Sequence, residues 1–142
     1  MKLNRMVVQS DHKLFKDIIA LRREVFCDEC GEKTQYIKDA RDSSGIHIAF
    51  LVDKTIVGCG SVFENSDGVF EIYGVAVKKY YRKFGMGTEI LEHLKKHGKE
   101  QGAKLFKAEL PLEALEFFEK NNMPKTGVPI TKNGKKYIKM IK

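Results

Sequence analysis

A basic, glycine-bearing loop lies between a predicted strand and a predicted helix. The stretch RKFGMGT, residues 82–88 (the glycine loop), brings Gly85 and Gly87 to the start of a helical pattern. A helix N-terminus presents unpaired backbone N–H groups and a partial positive charge, and glycines allow a ligand to approach that backbone closely. Arg82 and Lys83 add positive charge at the same place. These residue types at this spacing indicate a binding site for a phosphate-like anion.

Two familiar phosphate-binding motifs do not fit the glycine loop. A P-loop ends in Gly-Lys-Ser/Thr, whereas here Gly87 is followed directly by Thr88. A dinucleotide fingerprint needs a third glycine at the position that Ile90 occupies. An ordinary strand–helix turn that uses glycine only for its shape stays open as an alternative.

The elements before the glycine loop follow from the apolar pattern. Residues 5–10 are predicted to form a strand, and Asp11 is predicted to cap a helix that continues through Phe26. Residues 27–45 are polar and irregular, so we expect a long loop with room for one helical turn. Two strands then form an antiparallel hairpin that turns at Asp53–Lys54, and a third strand leads into the loop.

The elements after the glycine loop complete the predicted order of strand, helix, three strands, helix, strand, helix and hairpin. The second helix starts near Met86 and ends between Gly98 and Gly102, before a strand over residues 103–110. Pro111 is predicted to open the last helix at its first turn. The closing hairpin is predicted to turn at Asn133–Gly134, with an edge strand that contains Pro129.

Length and composition predict one mixed α/β domain over residues 1–142. The chain has 142 residues, 42% of them hydrophobic, and a net charge of +7 that favours an anionic partner. The cations are scattered, which argues against a dedicated nucleic-acid surface. No apolar run approaches the ~20 residues of a membrane span, and no secretory stretch is present. With three sparse cysteines as well, we expect a cytoplasmic protein without a membrane partner.

The stretch VAVKKYYRKFGMGTEIL, residues 75–91, resembles the cofactor motif of the GNAT superfamily of N-acetyltransferases. Arg82, Gly85 and Gly87 match its three signature positions, after a strand that ends Val-Ala-Val. Further upstream, LRREVFCDE, DARD and IHIAF resemble the N-terminal part of a small bacterial-type branch. The resemblance implies a GNAT-like domain with a central mixed, largely antiparallel sheet flanked by helices.

The resemblance also implies acetyl-CoA as the co-substrate. Backbone N–H groups across the glycine loop would hold its pyrophosphate, and the preceding strand would hydrogen-bond its pantetheine arm and orient the thioester. The implied cofactor-binding residues are Val75, Ala76, Val77, Arg82, Lys83, Phe84, Gly85, Met86, Gly87 and Thr88.

Acetyl transfer to an amine requires a base, because a free alkylammonium has a pKa of about 10.4. Glu71 is the candidate, since some members of the resembled family carry a catalytic glutamate at this spacing before the motif. Strand parity places Glu71 and Tyr73 on one face, unless Gly74 marks a bulge. The alternative for Glu71 is a solvated carboxylate at a strand end.

The last helix departs from the resembled pattern. Many members carry a tyrosine there as the general acid, but in ALEFFEKNNM its place is held by Phe118, which cannot donate a proton. Three outcomes stay open. Another hydroxyl, of Tyr73, Tyr80 or Tyr81, substitutes; the thiolate leaves unassisted toward solvent; or turnover is poor.

No metal site is expected. Cys27 and Cys30 have the spacing of half a zinc site, but no second such pair is present, and a structural zinc ion needs four ligands. His47 lies in an apolar strand and is expected to be packed there, with a place beside the acceptor pocket as the alternative.

The prediction from these residues is direct transfer from acetyl-CoA to a primary amine, of a small molecule or a peptide, in a ternary complex. The sequence leaves the acceptor's identity and a homodimer open. The first rival is a non-catalytic acyl-CoA-binding or sensing module, which the altered motif around Phe118 favours. The second is a basic nucleic-acid-associated domain, which only the net charge favours.

Overall fold

The structure is a computed structural model that describes residues 3–29, 39–82, 84–111, 114–132 and 135–141, without the side chains of residues 29, 111, 132 and 135–137. Its strands are β1 Leu3–Val8, β2 Ile46–Val52, β3 Thr55–Ser66, β4 Val69–Val77, β5 Leu105–Pro111, β6 Lys125–Lys132 and β7 Lys135–Ile141. Its helices are α1 Phe15–Arg22, α2 Met86–Glu100 and α3 Leu115–Lys120. A π-helical segment, Arg23–Glu29, continues α1, and 3₁₀ turns span Ala40–Ser43 and Lys79–Tyr81.

The seven strands form one sheet in the order β1-β2-β3-β4-β5-β7-β6. Among these strands every pairing is antiparallel except that of β4 with β5, which is parallel. The predicted mixed, largely antiparallel sheet with flanking helices is therefore confirmed. The predicted β2–β3 hairpin is confirmed too, and Asp53 adopts the positive φ of 56° that its tight turn requires.

Helix α2 covers one face of the sheet. Its apolar positions Ile90, Leu91 and Leu94 are at most 1% exposed, and burial of each contributes about 1.5–3 kcal/mol. The helix lies unusually close to β3, because a Cβ built on Gly60 would be only 2.6 Å from Cγ2 of Ile90. This packing fixes where α2 begins, and with it the position of the glycine loop.

Helix α1 and the π-helical segment cover the other face over β2, β3 and β4. Phe15, Ile18 and Leu21 of α1 form a second core with buried residues of these strands, including Cys59. Beyond β4, Glu109 of β5 and Lys139 of β7 lie opposite each other and are both exposed, so none of the described residues covers the same face there.

Two predicted helix starts are wrong. Asp11 does not cap α1, because the helix begins four residues later at Phe15, and the ring of His12 accepts the Leu14 N–H at 3.0 Å. Pro111 does not open α3, which begins at Leu115. Instead it is the last residue of β5, so the missing N–H of proline breaks no hydrogen bond in the interior of the strand.

The C-terminal hairpin is confirmed by the antiparallel pairing of β6 with β7. Pro129 lies in β6, the outermost strand, as predicted for an edge. The predicted turn at Asn133–Gly134 lies outside the described residues. In the part of the chain that is described, no helix is both long and apolar enough to cross a membrane.

Candidate functional site

Strands β4 and β5 diverge after a short parallel contact. They pair only from Val69 to Glu71 and from Leu105 to Lys107, after which β5 continues alongside β7 and β4 continues to Val77. The described residues contain no further β4–β5 pair, so the backbone of β4 from residue 72 onward has no strand partner on that side. Such an edge can hydrogen-bond the amide groups of an extended ligand.

A β-bulge lies in this open part of β4. Gly74 and Val75 together oppose Gly60 of β3, because the register moves from Tyr73 opposite Ser61 to Ala76 opposite Cys59. Gly74 has a φ of 64°, which a side chain would strain. A bulge at Gly74, which the sequence left open, is thus present, but Glu71 and Tyr73 both precede it and share the α1 face.

The glycine loop follows β4 and ends at the N-terminus of α2. Gly85 is the N-cap residue, with a left-handed φ of 80°, and the first helical hydrogen bond runs from Glu89 N–H to Gly85 O at 3.1 Å. The N–H groups of Met86, Gly87 and Thr88 therefore lie at the open end of the helix. A Cβ built on Gly87 would lie 3.0 Å from the ring of Phe117, so α3 packs directly against the loop.

Arg82 connects the glycine loop to β4. Its Nε donates a hydrogen bond of 2.8 Å to the carbonyl oxygen of Val77, the last residue of the strand. Tyr80 and Phe84, on either side of Arg82, are 83% and 77% exposed. Lys83, also predicted to bind the cofactor, lies outside the described residues. Arg82 therefore holds the start of the glycine loop against the end of β4.

Glu71 lies at the point where β4 and β5 part, with only 8% of its surface exposed. Arg41 donates a hydrogen bond to its Oε1, and Lys107 Nζ lies 3.4 Å from its Oε2. Asn65 Nδ2 also contacts Oε2 at 3.4 Å. The carboxylate is therefore not the solvated strand end that was the alternative, but a half-enclosed group with cations on both oxygens.

A buried ion pair anchors the segment that carries Arg41. Arg22 of α1 is 1% exposed and donates to both oxygens of Asp42, which is 4% exposed, at 2.9 and 3.1 Å. Burial opposes the charge of Asp42, but the hydrogen bonds and the charge of Arg22 outweigh it, so the pKa of Asp42 lies below its usual value. This pair fixes the 3₁₀ turn Ala40–Ser43 against the sheet.

His47 and Ser61 extend this buried network. Arg22 Nη2 donates to Ser61 Oγ at 3.0 Å, and Ser61 Oγ lies 2.6 Å from His47 Nδ1. His47 Nε2 faces the carbonyl oxygen of Asp42 at 3.1 Å and must therefore be the protonated nitrogen, so Nδ1 accepts the Ser61 hydroxyl. Burial lowers the pKa of His47. The ring is thus a packed, neutral histidine, as predicted.

Tyr73 joins the network to Glu71. Its hydroxyl donates to Asp42 Oδ1 at 2.7 Å, and Arg41 lies over its ring with 4.1 Å between the guanidinium carbon and the ring centroid. Burial, and then the hydrogen bond to Asp42, raise the pKa of Tyr73 well above its usual value. Tyr73 therefore supports Arg41, which in turn contacts Glu71.

Phe118 is buried in the core beneath α2. It is 6% exposed and meets Phe117 edge to face, with 5.2 Å between the ring centroids. The place that a tyrosine holds in the resembled pattern is therefore an apolar packing position here.

The two cysteines in the described part of the chain offer no reactive group at this site. Cys59 is fully buried, and burial raises the pKa of its thiol to about 12. Cys27 is half-buried in the π-helical segment, and Cys30 lies outside the described residues. Within the described ranges, no group of three or more His, Cys, Asp or Glu side chains is placed to hold a metal ion.

A surface cleft of about 260 Å³ lies between α1 and the β2–β3 turn. Asp17 and Glu24 line one side and Lys54 and Lys78 the other, and Lys78 Nζ lies 3.1 Å from Glu24 Oε1. It shares no residue with the glycine loop or β5, so we assign it no part in binding the cofactor.

Among the described strands, the sheet opens at its parallel pair, β4 and β5, beside the glycine-bearing N-terminus of α2. A sequence profile of the acetyltransferase (GNAT) family matches residues 12–123. The chain belongs to this family, and the predicted resemblance is confirmed.

Solved structures confirm the fold. A protein from Lactobacillus plantarum described as an N-acetyltransferase superposes with a TM-score of 0.88 at 20% identity, over 100% of this chain and 98% of that one. ElaA of Escherichia coli gives 0.86 at 15% identity, over 99% of each chain. An aminoglycoside 6'-N-acetyltransferase complexed with coenzyme A gives 0.77 at 16% identity, over 100% of this chain and 96% of that one.

Sequence reasoning missed the partners of Glu71. Arg41 is 30 residues away along the chain, and Lys107 reaches Glu71 only through the parallel pairing of β4 with β5. The one available signal was the presence of polar residues, His47 and Ser61, inside apolar strands, because such residues need buried partners.

Proposed function

We propose that the chain is an N-acetyltransferase that uses acetyl-CoA and transfers the acetyl group directly to a primary amine. The observation that carries this proposal is that the strand with the open edge, β4, precedes the glycine-capped N-terminus of α2. An extended amide-bearing arm matches the strand edge, and a pyrophosphate matches the helix N-terminus. The donors at these two places fit the two parts of the co-substrate.

Each part of the site has a task in this proposal. The N–H groups of Met86, Gly87 and Thr88 bind the pyrophosphate. Phe117 packs so closely against Gly87 that a Cβ there would lie 3.0 Å from its ring. Backbone groups of Val75–Val77 align the pantetheine arm. The thioester is the activated acyl donor, so the remaining chemistry that the protein must supply is deprotonation of the acceptor.

Glu71 is the proposed base. An acceptor ammonium would replace Lys107 at Oε2, where the contact of 3.4 Å is longer than a good charge-assisted hydrogen bond. Arg41 keeps the carboxylate oriented through Oε1 during this exchange. The ammonium first gives one proton to Glu71, and the free amine then attacks the acyl carbon. The second nitrogen proton passes to the sulfur of coenzyme A as the C–S bond breaks, so the products are the amide and the thiol.

Tyr73 is proposed first as a positioning residue, because its hydroxyl already donates a hydrogen bond to Asp42 and its ring supports Arg41. Its role as the proton donor to the leaving thiolate stays a prediction. Tyr73→Phe separates the two tasks, because the ring is kept and only the hydroxyl is lost. If Tyr73 is the proton donor, the fall of kcat at alkaline pH should be absent from Tyr73→Phe. If Tyr73 is a positioning residue, the variant should change kcat and keep that fall.

The test is release of coenzyme A thiol in the presence of acetyl-CoA and a panel of amines, with acetylated products identified by mass spectrometry. Glu71→Gln is expected to lower kcat by about 10²- to 10⁴-fold while leaving the affinity for acetyl-CoA unchanged. Glu92→Gln makes the same change from carboxylate to carboxamide at an exposed position of α2. It is the matched control and should retain full activity. A Glu71→Gln variant with wild-type kcat would remove Glu71 from the mechanism.

A non-catalytic acyl-CoA-binding module is the second candidate, and the burial of Phe118 where an acid is expected favours it. Binding of acetyl-CoA without turnover of any amine in a broad panel would select this candidate over the first.

A further inference from the structure

Four charged side chains form a neutral cluster around the proposed base. Arg41 donates to Asp39 through Nε at 2.7 Å and through Nη2 at 2.5 Å, and it contacts Glu71 through Nη1. Lys107 approaches the same Glu71 from β5. Two cations and two carboxylates therefore balance, and each carboxylate of the cluster already has a cationic partner.

The cluster lies within reach of an entering molecule. The side chains of Arg41 and Lys107 are 29% and 22% exposed, those of Asp39 and Glu71 21% and 11%. These groups border the open face of the sheet beyond β4. They are also buried enough that an added, unbalanced charge would be costly.

The contacts of the cluster differ in strength. Arg41 is held by three hydrogen bonds and by its stacking on Tyr73, whereas the ammonium of Lys107 makes one long contact with Glu71. Lys107 is therefore the member that an acceptor ammonium would displace from Glu71. Once displaced, its charge needs a new anionic partner beside the acceptor.

We infer that the acceptor is a zwitterion, an amine that carries its own carboxylate in the manner of an amino acid. This inference rests on the proposed function and names its substrate class. The ammonium takes the place of Lys107 on Glu71, and the substrate carboxylate pairs with the released Lys107. Ion pairs are exchanged and the cluster stays neutral, whereas a polycationic amine would bring its second charge against Arg41 and Lys107.

The test compares three acceptors with the same three-carbon chain: β-alanine, propylamine and 1,3-diaminopropane. Their net charges at neutral pH run from zero to doubly positive. With wild-type protein and saturating acetyl-CoA, we expect kcat/KM for β-alanine to exceed that for propylamine about tenfold, as expected for one partly exposed charge-assisted contact. The diamine should be the poorest of the three.

Lys107→Met removes the cation and keeps the unbranched chain. The variant should lose the tenfold preference for β-alanine over propylamine. Lys96→Met, on the exposed side of α2, is the matched control and should keep the wild-type preference.

Each outcome decides the question. Equal or faster transfer to propylamine or to the diamine by wild-type protein would overturn the zwitterion inference and leave the acetyltransferase proposal standing. A preference for β-alanine that survives Lys107→Met would overturn the assignment of Lys107. Binding of acetyl-CoA with no transfer to these three amines, while another amine of the broad panel is acetylated, would overturn the inference alone; no transfer to any amine of that panel would overturn the proposed function as well.

Discussion

The buried Arg22–Asp42 pair is the contact on which the geometry of the proposed base depends. Asp42 accepts four hydrogen bonds. Oδ2 accepts from Arg22 Nη1 at 2.9 Å and from the Asp39 N–H at 2.9 Å, and Oδ1 from Arg22 Nη2 at 3.1 Å and from the Tyr73 hydroxyl at 2.7 Å. Asp42→Asn keeps the shape of the side chain and removes its charge.

The cost of this substitution follows from the contacts. Whichever way the amide of residue 42 turns, its NH₂ group faces a guanidinium N–H of Arg22. Two hydrogen-bond donors then face each other, and one hydrogen bond of the wild-type pair is always lost. The charge of Arg22, which is 1% exposed, is left without compensation from Asp42. Breaking a buried pair in this way typically costs about 3–5 kcal/mol.

Urea denaturation followed by circular dichroism measures the free energy of unfolding. Glu89→Gln is the matched control, because it breaks an Arg–carboxylate pair of similar length, 2.8 Å, whose partners Arg5 and Glu89 are 42% and 43% exposed. We expect the control to lose less than about 1 kcal/mol. An Asp42→Asn loss no larger than that of the control would refute the argument that burial makes this pair essential.

Three further substitutions test other parts of the account. Gly60→Ala should lower the free energy of unfolding by about 1–3 kcal/mol, because the new Cβ would lie 2.6 Å from Ile90; full stability would show that α2 does not lie as close as described. Phe118→Tyr should cost about 1–3 kcal/mol by burying a hydroxyl and should not raise kcat, so a faster variant would contradict the packing role. His47 has a lowered pKa in the folded state, so its stabilisation is complete above about pH 6.5 and is lost as pH falls toward the folded pKa. The stability difference between wild type and His47→Gln should therefore shrink by up to about 1.4 kcal/mol per pH unit below about pH 6.5, and a constant difference would contradict a neutral buried ring.

The glycine loop and the order of elements could be predicted because their signals are local. The spacing of apolar residues identifies α2, and glycines at a helix N-terminus allow a ligand to approach the backbone closely. The two wrong helix starts, at Asp11 and Pro111, rested on capping preferences. Those preferences are weak compared with tertiary contacts: Asp11 lies in the turn before α1, and Pro111 ends β5.

The surroundings of Glu71 could not be predicted in the same way. Arg41 approaches it from a separate turn, and that turn is held by a pair whose members, Arg22 and Asp42, are 20 residues apart. Lys107 depends on a parallel pairing that the sequence pattern does not specify. Such contacts arise from the meeting of distant segments, and no single-sequence periodicity encodes them.

Two glycines at opposite ends of α2 allow the central proposal to be tested with matched variants. Gly85 and Gly102 have φ values of 80° and 100°, and a Cβ built at either would have no atom within 4 Å. Gly85→Asp and Gly102→Asp therefore place the same charge at backbone positions of the same kind, and only Gly85 belongs to the glycine loop.

The most direct measurement is isothermal titration calorimetry of acetyl-CoA with wild type and both variants. The account predicts that wild type binds, that Gly102→Asp binds equally well, and that Gly85→Asp binds on the order of tenfold more weakly or not at all, because its carboxylate would repel the pyrophosphate. Absence of binding by wild type, or equal affinity of all three proteins, would contradict the assignment of the glycine loop as the acetyl-CoA site.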